Sequence, residues 1–206
     1  MPKPRLRLVA PARPRAVVLV LHGGRELGRR RAAPWGLAYL RMVPFAIDLI
    51  LAGSRRGLAV GLLRYRFQGW NAPDKDPVRD ASWALEEIRR RHPGLPVVLV
   101  GHSMGGRVAF RVAGDPSVVA ACGLAPWTEP RDPVEQLSGR TVLIAHGDLD
   151  RVTSPEKSRD FADRASAVTD RVRWVDIPGE RHAMLRYPRR WRLLVRRFVT
   201  ENLDLA

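Results

Sequence analysis

Residues 15–21 (RAVVLVL) and 97–101 (VVLVG) are short, almost wholly apolar runs of strand length, and longer helical patterns lie between such runs. A strand that is apolar on both faces must be covered on both faces, which only a parallel sheet between helix layers provides. Five further runs fit as strands: residues 5–9, 58–66, 118–124, 141–146 and 172–177. Helices are expected at 77–92, 103–114, 155–169 and 189–203. Acids early and arginines late mark the first, Ser154 followed by Pro155 opens the third, and Trp191, Leu194, Val195 and Phe198 share one face of the last. The expected fold class is therefore α/β: a doubly wound, mostly parallel sheet of about seven strands with helices on both faces. With 206 residues, no internal repeat and no long linker, residues 1–206 are expected to form a single domain.

Charge is the other conspicuous property. The chain has 36 Lys+Arg against 21 Asp+Glu, a formal balance of +15. A nucleic-acid partner would call for a basic stripe on one element. Here the arginines fall in scattered pairs and triplets (Arg29 to Arg31, Arg55-Arg56, Arg89 to Arg91), as on solvated helix faces and loop tips. Nucleic acid is not expected as a partner, and the charge reads mainly as compositional bias. It retains one use, drawing anionic substrates toward an open site, with Arg25 and Arg181 placed to take part. A single cysteine, Cys122, excludes an intramolecular disulfide framework and points to a reducing, cytoplasmic setting. Six apolar residues at 16–21 are too few for a signal-peptide core. The most apolar window, residues 36–53, falls slightly short of about 20 residues and carries Arg41, Pro44 and Asp48, so no transmembrane span is expected.

The chemistry concentrates at three loops. Gly101-His102-Ser103-Met104-Gly105 directly follows a strand and directly precedes a helix. This is the strand–turn–helix setting of a nucleophile elbow, whose tight turn needs glycines two residues either side of the serine. A serine hydroxyl needs a base and a group to orient that base. His182, in the loop after the last strand, faces the same crevice and is the expected base. The loop after 141–146 offers Asp148 and Asp150. Asp150, deeper in the loop, is preferred, and Asp148 is expected to bond amides of its own turn. Amides of Met104 and of Gly24, with Arg25 as the fallback, are the expected oxyanion donors.

With these motifs in place, the chain resembles the α/β-hydrolase family from His22-Gly23-Gly24 to His182. It is close in size to dienelactone hydrolases, which carry a cysteine where Ser103 stands. The resemblance implies a small serine hydrolase acting on a small-molecule ester, with Ser103, Asp150 and His182 as triad and neither metal nor organic cofactor. The same triad would serve a thioesterase, peptidase or acyltransferase, and a catalytically idle scaffold used for binding is the alternative of another class. Residues 125–140 leave space only for a turn or one short helix, so a minimal cap or none is expected, with Trp127 near the rim. In residues 35–54, Leu37, Leu40, Val43, Pro44, Ile47, Ile50 and Leu51 form one apolar stripe, with Ala38, Arg41, Phe45, Asp48 and Ala52 opposite. This helix is expected to pack on the sheet as core, the alternative being that its second face lines an acyl or alcohol pocket, and Pro44 is expected to kink or split it. Oligomeric state is not legible.

Overall fold

The computed structural model describes residues 2–203. The strands are β1 (Arg5–Val9), β2 (Ala16–Leu21), β3 (Leu58–Arg64), β4 (Val97–His102), β5 (Val118–Leu124), β6 (Thr141–Gly147) and β7 (Val172–Ile177). The helices are α1 (Leu37–Gly53), α2 (Asp76–Arg91), α3 (Met104–Val112), α4 (Pro155–Ser166) and α5 (Pro188–Asn202). One seven-stranded sheet runs in the order β1-β3-β2-β4-β5-β6-β7. Only β1 is antiparallel to its neighbour. The expected strands and helices are all present, displaced by at most three residues at an end.

Alternate residues of each central strand feed opposite faces. Val17, Leu19 and Leu21 join the layer made with α2, α3 and α4. Ala16, Val18 and Val20 join the layer made with α1 and α5. Both faces of β2 and β4 are thus covered, as their unbroken apolar sequences require. Strand order reverses between β2 and β4, and loops leaving carboxyl ends of strands at such a reversal border the crevice where α/β sheets bind ligands.

Two expectations about α1 are corrected. Of the kink or split expected at Pro44, the split is absent: the helix runs unbroken from Leu37 to Gly53. Pro44 is exposed, so water can reach the backbone carbonyl that loses its partner. Most of the apolar stripe also faces outward, with only its Val43 and Ile50 packed, partly buried, against the core. The core side is Tyr39, Met42, Phe45, Ala46 and Leu49, and it is Leu37, Leu40, Ile47 and Leu51 that are exposed. With its following 3-10 turn, Leu37–Arg56 reaches 20 residues at a hydropathy of 1.5 and passes as a membrane span by length and composition, contrary to the expectation of a shortfall. Its inner residues tie it to the sheet as a core helix, so that test alone makes it no span. Between β5 and β6 lies only the 3-10 turn Glu135–Leu137, with no inserted cap. Buried Asp132 holds this segment by ion pairs to Arg107 and Arg111 of α3.

Candidate active site

The elbow after β4 explains its glycines. Ser103 has φ 56°, a left-handed conformation costly for any residue with a Cβ. A Cβ on Gly101 would run into the Gly105 backbone, and one on Gly105 into the carbonyl of Leu21. The serine therefore stands at the positive end of α3, held by the packing of β4, α3 and the end of β2.

The loops leaving β4, β6 and β7 bring Ser103, Asp150 and His182 together. Ser103 Oγ lies 3.1 Å from His182 Nε2. His182 Nδ1 lies 2.8 Å from Asp150 Oδ2. Burial alone would raise the Asp150 pKa, but hydrogen bonds from His146, His182 and the Val152 amide hold it well below the usual carboxylate range. An ionised Asp150 only accepts, so His182 Nδ1 carries the ring proton and Nε2 presents its lone pair to the Ser103 hydroxyl. Asp150 Oδ1 accepts from the amides of Val152 and Thr153. Asp148 instead reaches across to the Gly179 amide at 2.6 Å, tying the acid loop to the histidine loop. That departs from the expected bond within its own turn, because β6 and β7 are neighbours and place the two loops side by side.

The two residues expected to supply oxyanion donors are neighbours in space. Gly24 lies against Met104: a Cβ on Gly24 would come within 2.7 Å of the Met104 sulfur. Met104 opens α3, where an amide has no intrahelical acceptor. Arg25 is removed as fallback, since its amide donates to the Gln68 carbonyl at 2.8 Å. His22 shapes this loop. Its Nε2 accepts from the Tyr65 amide, so its Nδ1 donates to the Gly23 carbonyl at 2.6 Å. Burial pushes its pKa down to about 4, against the Gly23 bond, which favours the proton. A cavity of about 350 Å³ opens beside the loop, lined by Gly23, Gly24, Arg25, Leu37 and Tyr39 among others. Arg25 thus borders this cavity. Trp127 sits beside the elbow, its amide donating to the Ser103 carbonyl at 3.1 Å, but it does not line this cavity; its ring packs against Trp70 and the Arg107 guanidinium, which lies 4.5 Å from its centre. Arg181 is exposed beside His182.

Sequence reasoning missed three residues here. Thr153 Oγ1 lies 2.9 Å from Asp150 Oδ2 and 3.2 Å from His182 Nδ1. His102, taken as the elbow's variable position, donates from Nε2 to the His182 carbonyl at 2.9 Å. Burial and the neighbouring His182 push its pKa down to about 3. Glu180, 1% exposed, accepts from the amides of Arg181 and Tyr187 and from Trp191 Nε1, which anchors the histidine loop to α5. A carboxylate two residues before His182 and a threonine three residues after Asp150 were the signals in the sequence. His146 also reaches Asp150 Oδ2, at 3.1 Å.

A family model described as the alpha/beta hydrolase family matches residues 17–204. The human protein named monoglyceride lipase is 31% identical over 103 residues, which is 50% of this chain but only 31% of that protein. The matched segment is thus about a third of the curated relative's length. An alpha-beta serine hydrolase homologue from Coxiella burnetii superposes with TM-score 0.70 at 19% identity, covering 95% of this chain and 91% of that one. A serine hydrolase without a lid from Xanthomonas campestris gives 0.65 at 17% identity, covering 98% and 88%. At these identities the two structures speak for the fold.

Proposed function

The chain belongs to the alpha/beta hydrolase family, and from that we propose that it is a serine hydrolase cleaving carboxylic esters through an acyl-enzyme. The observation that carries this reading is the unbroken relay from Ser103 Oγ through both nitrogens of His182 to Asp150. In the proposed cycle His182 Nε2 takes the Ser103 proton as Oγ bonds to the ester carbon, and the carbonyl electrons move onto its oxygen. The Gly24 and Met104 amides hold that oxyanion, while Asp150 stabilises the imidazolium. Collapse breaks the bond to the alcohol oxygen, which leaves with the proton from Nε2. Water, deprotonated by the same nitrogen, then attacks the acyl carbon, and the acid departs as Ser103 regains its proton. No step calls for a metal or organic cofactor.

The pocket between the Gly24 loop and α1 suits an apolar acyl or alcohol group. Similarity to a monoglyceride lipase over half of the chain makes monoacylglycerols the first substrates to test. A fluorophosphonate should label the protein once, on the peptide holding Ser103, by mass spectrometry. Labelling elsewhere, or none, would overturn the mechanism. A profile of aryl esters of increasing acyl length, with matched thioesters and amides, should favour esters that fill the cavity. Preference for thioesters would move the assignment to thioester hydrolysis.

Thr153 acts here as a positioning residue, through Asp150 and His182. Thr153→Val keeps the shape but removes the hydroxyl that lies within reach of Asp150, His182, His146 and the Ala125 carbonyl, a loss of about 1 kcal/mol for each hydrogen bond it makes. The expected result is a kcat lowered by roughly five- to tenfold with KM unchanged. Unchanged kcat would show that the amides and histidines around Asp150 suffice.

A further inference from the structure

The outer face of α1 is the largest feature that the proposed chemistry leaves unused. Leu37, Leu40, Pro44, Ile47 and Leu51 are all exposed, at alternating spacings of three and four. That spacing keeps side chains on a single seam, here roughly 21 Å long at 1.5 Å per residue. Leu37 and Leu51 are 78% and 77% exposed, and Trp35, just before the helix, is 76% exposed. Leu185 extends the surface from the histidine loop: a cavity of about 450 Å³ lies between it and Leu37, Leu40 and Pro44. Apolar surface this continuous on a charged protein marks a site of contact.

What contacts it is indicated by charge. Arg41 and Arg192 border the same cavity. Arg55 and Arg56 follow the seam's far end, and Arg189 and Arg190 stand exposed in the first turn of α5, which lies beside α1. None of these six forms an ion pair among the described residues. The one acid on α1, Asp48, is already held by Arg196. Arginines at the start of α5 also oppose its dipole, a placement that favours a nearby anion. A second copy docking seam to seam would bring like charges together around the contact, which disfavours it. An apolar strip rimmed by arginine, with an aromatic at its end, fits an anionic lipid surface.

We propose that the outer face of α1, with its arginine rim, docks the protein on anionic membrane surfaces. The protein then lies on the bilayer through one face and does not cross it. Leu37 borders both the seam's cavity and the one beside Gly24, so the docking face adjoins the cavity at the Gly24 loop. Docking does not rest on the hydrolytic reading. Ser103→Ala should bind vesicles as the wild type does.

The test is co-flotation with vesicles of phosphatidylcholine alone or with about one third phosphatidylglycerol. The wild type should float with the anionic vesicles, weakly with neutral ones, and less as salt rises. Ile47→Asp/Leu51→Asp changes two exposed residues outside both cavities and should weaken binding by roughly tenfold or more, since a charged carboxylate replaces each apolar side chain at the lipid contact. Its hydrolysis of a soluble short ester should match the wild type, which also verifies folding. Equal binding by the variant, or none by the wild type, would overturn the proposal. So would a vesicle-free dimer, seen by sedimentation, that the variant breaks, because the seam would then be covered by a second copy.

Discussion

Ser103→Ala should lower kcat/KM for a short aryl ester by about 10⁴-fold or more, with no change in fold. Alanine keeps the Cβ and therefore the left-handed backbone at φ 56°, so the elbow is neither relieved nor further strained. What disappears is the only hydroxyl in hydrogen-bonding reach of His182 Nε2 among the described residues. Asp150→Asn should cost nearly as much. Its amide would meet the donors of His146, His182, Val152 and Thr153, and at least one would lose its acceptor or His182 its tautomer. Because the three groups act as one unit, the double variant should be hardly slower than Ser103→Ala alone. Steady-state kinetics on purified protein, with circular dichroism to verify the fold, decides this. Normal rates in Ser103→Ala would remove the mechanism altogether.

The second large effect is on stability in acid. Bringing the pH from 7 to 5 should cost the fold on the order of 4 kcal/mol. His22 and His102 are buried neutral, with pKa values pushed down to about 4 and about 3 from the ordinary 6.5. Lowered histidine values mean that the unfolded chain takes up protons first. The stability from each is complete above 6.5 and is lost as pH falls toward the folded values, at about 1.4 kcal/mol per pH unit. At pH 5 that is about 2 kcal/mol from each. Asp150 and Glu180, both held below their ordinary values, add a further loss only in stronger acid. Asp80, raised by burial, works in the opposite sense. Urea unfolding at the two pH values measures the difference, and proton uptake on unfolding at pH 5 should include about two protons from this pair. A flat profile would mean that these rings are not held neutral in the fold.

The two histidines also mark where the sequence stops being informative. His22 could be placed at a strand end, suited to bonding a loop, because a strand followed by Gly-Gly is a local pattern. His102 could not be given a role, since its partner is a backbone carbonyl 80 residues away. The same divide separates Asp150 from Thr153 and Glu180. Asp150 belongs to a motif, whereas Thr153 and Glu180 matter only once β6 and β7 pair and α5 closes over the histidine loop.

The sequence by itself determined the strand and helix order, and it singled out the three loops, with their candidate residues, that the structure brings together. Those features depend on local periodicity and turn geometry, which neighbouring residues largely specify. Tertiary structure alone decided that Trp127 packs with Trp70 and Arg107, that Asp148 bridges two loops, and above all which side of α1 meets water. A helix with apolar residues nearly all round has no preferred inner face until the sheet's shape selects one. The sheet took Tyr39, Met42, Phe45, Ala46 and Leu49, leaving the more regular stripe outside.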